Sequence, residues 1–501
     1  MIEQLPALLV VAPILAATVS LVAGLRWRET GWAVTTITLV GLFAMAIWLT
    51  TEVYLGAGGD RIIHQLGGFP RPVGIELIAD RLSTLISVVV TGIALGVLAY
   101  TRLGGPRGNG FYTMYLLLVG GLLGVTFTGD VFNLFVFLEI TGLTTYAIVA
   151  KGESGESAIA ALRYLVIGTV GASIYLIGVG YLFMATGTLN MIDLSASLAE
   201  VGYDATLVRV GFVFVFVGFA VKVALFPLHS WQPDAYQHAP DGATPLVSAL
   251  VSTASAYALF RITYTVFTVE FLRATPYVTE VIVTIGSVSV LAGTTLAVLQ
   301  TDVKRMLAYS SVSQFGLIVL AYGLVTQTAL VGSLVHLLGH GLMKGGLFLA
   351  VGVIAAGTGA RTVDEYAGLA ERRPFAAGAM AVLGLALVGV PPSVGFVGKW
   401  FIAVGAVEAG VWPVAVVVFL STMLTLAYVA RLLEKMYFTP PARTGAYTPE
   451  NPLAADGSGE TVSKGMLAMT VLCTVLVVAL GFAGGTFDSL LGPFVEGVLN
   501  G

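Results

Sequence analysis

Long apolar runs, separated by short joints of glycine, proline and charge, dominate this chain. Read by length, the runs predict helices near 4–25, 31–51, 78–100, 111–128, 130–150, 159–185 and 209–229. They continue near 241–268, 277–299, 305–325, 328–356, 377–410, 412–437 and 463–485. A helix needs ~20 apolar residues to cross a bilayer, so these fourteen segments predict an all-α polytopic membrane protein. The joints are short, as in G-A-G-G-D at 56–60 and G-G-P-R-G-N-G at 104–110, and the longest polar stretch starts at 439. None of them holds a soluble domain. The chain therefore reads as a single integral membrane unit, residues 1–501.

Composition agrees. The chain is 57% hydrophobic and 10% charged, where soluble domains average ~25% charged. A net charge of −4 says nothing about partners for a chain mostly in lipid. The single cysteine, Cys473, excludes intrachain disulfides and cysteine-ligated zinc or iron–sulfur sites. The start M-I-E-Q-L-P lacks a basic region, so the first apolar run reads as a permanent helix. Fifteen Lys and Arg fall on joints that follow odd-numbered segments, among them Arg26, Arg28, Arg102, Lys304, Arg361 and Arg443, against six on the other side. The positive-inside rule then places both termini outside the cytoplasm.

Three lysines remain, and all sit within apolar segments: Lys222, Lys344 and Lys399. A charge at the bilayer centre costs on the order of 2.5–3.5 kcal/mol on insertion scales. Glu139, in V-F-L-E-I-T-G-L, is the acidic residue placed at similar depth. One such lysine could snorkel to an interface, and one Lys–Glu pair could be helix glue. Three lysines, a glutamate and two histidines in one bundle point instead to ion or proton movement. Lys222 precedes Pro227, and Lys399 follows Pro391 and Pro392. Proline frees a backbone carbonyl, which is tolerated at membrane depth only where protein or water satisfies it. Two broken helices, the seventh and the twelfth, at matching places suggest two inverted five-helix repeats, segments 4–8 and 9–13. The expected organisation is three N-terminal helices in 1–110, repeats in 111–268 and 277–437, and a last helix in 438–501. In the eleventh segment His336, His340 and Lys344 recur every fourth residue and share a helix face. Histidine titrates near neutral pH and suits proton transfer. Zinc binding by the histidine pair is the competing reading, but no third ligand is nearby and Lys344 would repel a cation.

These motifs carry a resemblance. D-V-F-N-L-F-V-F-L-E-I (130–140), K-V-A-L-F-P-L-H-S-W-Q-P-D-A (222–235), H-A-P-D-G-A-T-P-L-V-S-A-L (238–250), D-V-K-R-M-L-A-Y-S-S-V-S-Q-F-G (302–316), H-L-L-G-H-G-L-M-K-G-G-L-F-L (336–349) and G-V-P-P-S-V-G-F-V-G-K (389–399) are the stretches concerned. Through them the chain resembles the antiporter-like membrane subunits of Mrp-type cation/proton antiporters, respiratory complex I and membrane-bound hydrogenases. The stretch 65–83 and the lysine at 399 look most like the D-type Mrp subunit. The resemblance implies a transporter subunit, not an enzyme, in a prokaryotic cell membrane. It implies other membrane subunits as partners, protons and a monovalent cation such as Na⁺ as cargo, no cofactor and no nucleic acid. It further implies that Glu139 pairs with Lys222, that Lys222 loads protons, that His336, His340 and Lys344 extend a wet midplane path, and that Lys399 passes protons outward. The alternative it leaves open is the proton-pumping subunit of a complex I-like or hydrogenase-like enzyme. One departure stands out. Family members often carry a lysine in the eighth helix, where this chain has Thr253. Ser252, Thr253 and Tyr257 could hold a water chain there, but they cannot store a proton as a lysine does.

Overall fold

In the computed structural model, which describes residues 2–440, 462 and 464–500 apart from 28, 57, 58 and 153, every predicted segment is helical. Arg28, Arg443 and the polar run beyond 440 lie outside the described residues. The N-terminal helices are α1 (Leu5–Arg26), α2 (Gly31–Leu55) and α3 (Arg81–Gly104). Next come α4 (Asn109–Phe127), α5 (Val131–Val149), α6 (Gly155–Thr186) and the short α7 (Met191–Val201). The broken seventh segment is α8 (Thr206–Val223) and α9 (Trp231–His238). α10 (Thr244–Arg261) runs through a π-helical turn, Ile262–Val266, to α11 (Thr268–Ala274). α12 (Val278–Val298), α13 (Val303–Tyr322) and α14 (Gln327–Thr358) follow. After the single turn α15 (Leu369–Arg372), the broken twelfth segment is α16 (Pro374–Val388) and α17 (Val394–Glu408). α18 (Trp412–Phe438), α19 (Lys464–Ala479) and α20 (Gly484–Asn500) close the chain.

Among the described residues twelve helical runs are long and apolar enough to cross a membrane. Their outward faces are apolar (Leu15, Val19, Ile37, Val170, Val416), whereas Ser, Thr, Lys and His are buried inside. That inversion of the soluble pattern is what a lipid solvent requires. α10 and α14 are the most enclosed and form the centre.

The five-helix repeats are visible in the packing. α4 packs on α5, α5 on α6, α6 on α8, and α10 on both α8 and α4. In the same way α12 packs on α13, α13 on α14, α14 on α17, and α18 on both α17 and α12. Each unit counts five of the predicted segments, an odd number, which is the count that two inverted repeats require. The two breaks share a construction. α8 ends at Ala224, in the left-handed region at φ 64°, and the Leu225 amide bonds back to the Ala220 carbonyl at 2.9 Å. α16 ends at Gly389, at φ 96°, and the Val390 amide bonds back to Leu385 at 3.0 Å. This backward bond is the usual left-handed helix stop. Pro227, Pro391 and Pro392 therefore lie just beyond helices that have already ended, and do not kink continuous ones.

Three elements depart from the sequence reading. Residues 78–80 are not helical: Arg61–Gln65 (β1) and Glu76–Asp80 (β2) form an antiparallel hairpin. The helix begins at Arg81 because Asp80 caps the amides of Leu82 and Ser83. α7 and most of α20 were not expected. Both are amphipathic, burying Met191, Leu194 and Leu198, and Phe487, Leu491 and Val495, so neither forms an apolar run.

On the basic side, carboxylates clamp the joints around the first break. Asp234 pairs with Arg163 at 2.7 Å and Arg305 at 2.8 Å. Asp241 pairs with Lys304 at 3.1 Å and Arg361 at 2.6 Å. Burial alone would raise the Asp241 carboxyl, but Lys304 and Arg361 outweigh it and hold it below the usual carboxylate range. A depressed carboxylate contributes stability above its unfolded value and loses it as pH falls through the lower folded one. Asp241→Asn leaves Lys304 buried without its counter-charge, which costs about 3–5 kcal/mol in comparable buried pairs. The thermal midpoint of the purified protein is expected to fall clearly, and an unchanged midpoint would remove the clamp from this account.

Candidate functional site

Lys222 is the penultimate residue of α8, so its side chain lies beside the first break. Its Nζ donates to Glu139 Oε1 at 3.1 Å. The two come from α8 and α5, and the pair is the one the resemblance implied. Glu139 is partly open, its side chain 21% exposed, on an α5 face that also carries the exposed Phe132, Val136 and Leu143. Trp231 holds the far lip of the break. Its Nε1 donates to the Val221 carbonyl at 2.9 Å, and its ring stacks on Tyr164 at 3.9 Å.

α10 packs between α8 and α14. There the Gln232 amide donates to Ser252 Oγ at 3.1 Å and to the Tyr236 hydroxyl at 3.2 Å. Gln232 Oε1 and Thr253 Oγ1 are buried and have no protein partner. Of the three residues expected to hold water, Ser252 and Thr253 lie in this region. The Tyr257 hydroxyl does not join them, because it donates to the Thr126 carbonyl of α4 at 2.8 Å.

His336, His340 and Lys344 do share one face of α14, and that face packs on α13. His336 Nε2 bonds to Gln314 Oε1 at 2.8 Å. The His340 ring lies on Phe315 at 4.4 Å, and neither of its nitrogens has a protein partner. Lys344 donates to the Leu307 carbonyl at 2.7 Å and to Ser310 Oγ. Gln314 and Ser310 were not singled out from the sequence. Their signal was present: two polar residues one turn apart within an apolar helix.

Lys399 lies in the second turn of α17 and is 4% exposed. It donates to the carbonyls of Leu387 at 2.9 Å and Val388 at 3.0 Å. These are the last carbonyls of α16, the negative end of a helix dipole. Gly398 lets α17 approach α14 closely: a Cβ there would lie 2.6 Å from His336 Cβ. The structure thus brings Glu139 to Lys222, groups the three α14 residues, and sets Lys399 beside His336. Between Lys222 and the α14 group stands α10, with Thr253 in place of a charge.

Sequence reasoning missed one buried ion pair. Arg261 of α10 and Asp80, the cap of α3, bond to each other inside the bundle. Lys304, placed in a joint from sequence, is buried as well.

Comparison with known proteins bears on this arrangement. Residues 128–425 match the family described as NADH:quinone oxidoreductase/Mrp antiporter, TM. The chain is 38% identical to the N subunit of the NADH-quinone oxidoreductase of Desulforudis audaxviator, covering 100% of this chain and 98% of that one. It is 30% identical to the D-type subunit of the Na(+)/H(+) antiporter of Bacillus subtilis over 74% of each chain. Among solved structures it is similar to a chain of the membrane-bound sulfane sulfur reductase, an archaeal respiratory complex. There the TM-score is 0.88 and the identity 31%, over 99% of this chain and 98% of that one.

Proposed function

The chain belongs to the NADH:quinone oxidoreductase/Mrp antiporter transmembrane family, and on that premise we propose that Lys222 is the stop at which a proton waits inside the membrane. It is an antiporter-like, proton-translocating, multi-pass membrane subunit. The observation that carries the residue assignment is the Lys222–Glu139 pair beside a helix break. Burial disfavours a charged ammonium, and a carboxylate in hydrogen-bond reach favours it. Drawing Glu139 away therefore discharges Lys222, and restoring it reloads the lysine. The proton passes along water held by Gln232, Ser252 and Thr253; the unpartnered Gln232 Oε1 and Thr253 Oγ1 are oxygens of the kind that buried water satisfies. His340, His336 and Lys344 take it along α14, and Lys399 releases it on the side away from the basic joints. The carbonyls at the end of α16 serve Lys399 as a neutral counter-ion. Both termini then lie outside the cytoplasm of a prokaryotic cell.

A partly exposed carboxylate on an apolar face is costly against hydrocarbon. The α5 face around Glu139 is therefore covered in the assembly by another membrane subunit. In the first reading that assembly is a monovalent cation/proton antiporter, with this chain as its D-type subunit and Na⁺ as the cation. The second reading is a redox-driven proton pump in which this chain holds no redox centre of its own. It is favoured by the full-length match to an oxidoreductase N subunit. The test is to tag the chain, extract it in mild detergent, identify the co-purifying subunits and assay iron and flavin. Small hydrophobic partners without iron, with Na⁺-dependent ΔpH in vesicles, support the antiporter. Iron–sulfur or flavin subunits would replace it with the pump.

A further inference from the structure

We propose that the cleft between α12, α18 and the joint that follows α13 is a site for one phospholipid whose headgroup carries a phosphate and a primary ammonium. The cleft opens on the side away from the basic joints and has a volume of about 800 Å³. Val283, Leu291, Leu324, Val414 and Val417 line its depth, and Arg273, Thr275, Tyr277 and Glu280 stand at its mouth. Along α12 the wall runs twelve residues from Thr279 to Leu291. At ~1.5 Å per residue that is about 18 Å, a little more than the ~15 Å of hydrocarbon in one leaflet. Tyr277 and Trp412, 74% and 62% exposed, flank the mouth. Exposed Tyr and Trp mark the headgroup level of a bilayer.

A further observation points to an occupant. Tyr277 and Val325, both in the lining, hold the left-handed conformation at φ 65° and 54°. Side-chain-bearing residues adopt it at a cost and do so disproportionately around ligand clamps.

The charges select the headgroup. The Arg273 guanidinium suits a phosphate. Glu280 accepts from the Thr279 hydroxyl through Oε2 at 2.9 Å, which leaves Oε1 for an ammonium. A lipid with a glycerol headgroup offers Glu280 only neutral hydroxyls, without the ammonium's charge. A quaternary ammonium has no N–H to donate. The acyl chain lies along α12.

The test is native mass spectrometry of the full complex in detergent, after addition of phosphatidylethanolamine, phosphatidylcholine or phosphatidylglycerol with identical acyl chains. Wild type is expected to retain one phosphatidylethanolamine per chain in preference to the other two. Glu280→Gln removes one charge-assisted hydrogen bond and is expected to lower that retention about tenfold, leaving phosphatidylglycerol unchanged. Arg273→Gln is expected to weaken all three. Both side chains are exposed, so neither change threatens the fold. Equal retention of the three lipids by wild type would mean annular lipid only and overturn the proposal. So would unchanged phosphatidylethanolamine retention in Glu280→Gln, or a partner helix cross-linked into the cleft from Ser287→Cys.

Discussion

Lys222→Ala is expected to abolish proton-coupled transport in a complex that still assembles, and Lys222→Arg to do the same. The pair of variants separates the two roles a buried ion pair can play. Glu139 reaches the chain surface, its side chain 21% exposed, so polar groups of a neighbouring subunit or water can solvate it when its partner is lost, and the bundle tolerates alanine. Arginine keeps the cation beside Glu139 and so preserves the ion pair. It cannot give the proton up, because a guanidinium stays charged with a pKa above ~12. If the pair were only helix glue, arginine would restore function and alanine would impair assembly. If Lys222 must discharge, both variants are silent in ΔpH assays while co-purification with the other subunits stays normal. Transport by Lys222→Arg near the wild-type rate would end the proton-stop assignment.

The parts of this site that were legible from sequence are those fixed by one-dimensional spacing. His336, His340 and Lys344 recur every fourth residue, so a shared face follows from helix geometry alone, whatever the helix packs on. The breaks were legible because proline sits where a helix cannot continue. Partners were a different matter. Glu139 and Lys222 are 83 residues apart, and only the family resemblance joined them. Gln314 and Ser310 acquire meaning once α13 is known to lie against the α14 face. Arg261 and Lys304 show the limit of counting charges by position. Both lie near helix ends, where sequence assigns them to water, yet those ends turn inward and bury them against Asp80 and Asp241. The hairpin of β1 and β2 escaped for another reason. Its five-residue strands are too short to register beside membrane-length runs, and the run that follows absorbed the second of them.

Lys344 tests the second half of the path. Lys344→Met is expected to cut transport at least about tenfold, equivalent to ~1.4 kcal/mol or more on the limiting step, while the thermal midpoint holds or rises. The geometry explains why the two readouts part. Lys344 is fully buried, and its bonds go to a carbonyl and a hydroxyl, not to a carboxylate. Ser310 Oγ already donates to the Leu307 carbonyl at 2.8 Å, so removing the ammonium leaves these two groups satisfied by each other. Methionine is unbranched and adaptable and fills the vacated stem. Replacing buried charge by apolar bulk is commonly neutral or stabilising. A cation kept at this depth without a counter-charge therefore contributes little that stability alone would retain. On the proposed path it holds a proton on its way to Lys399. If Lys344→Met lowers the midpoint and transport together, the residue is a structural anchor for α13. The path along α14 would then have to run through the histidines without it.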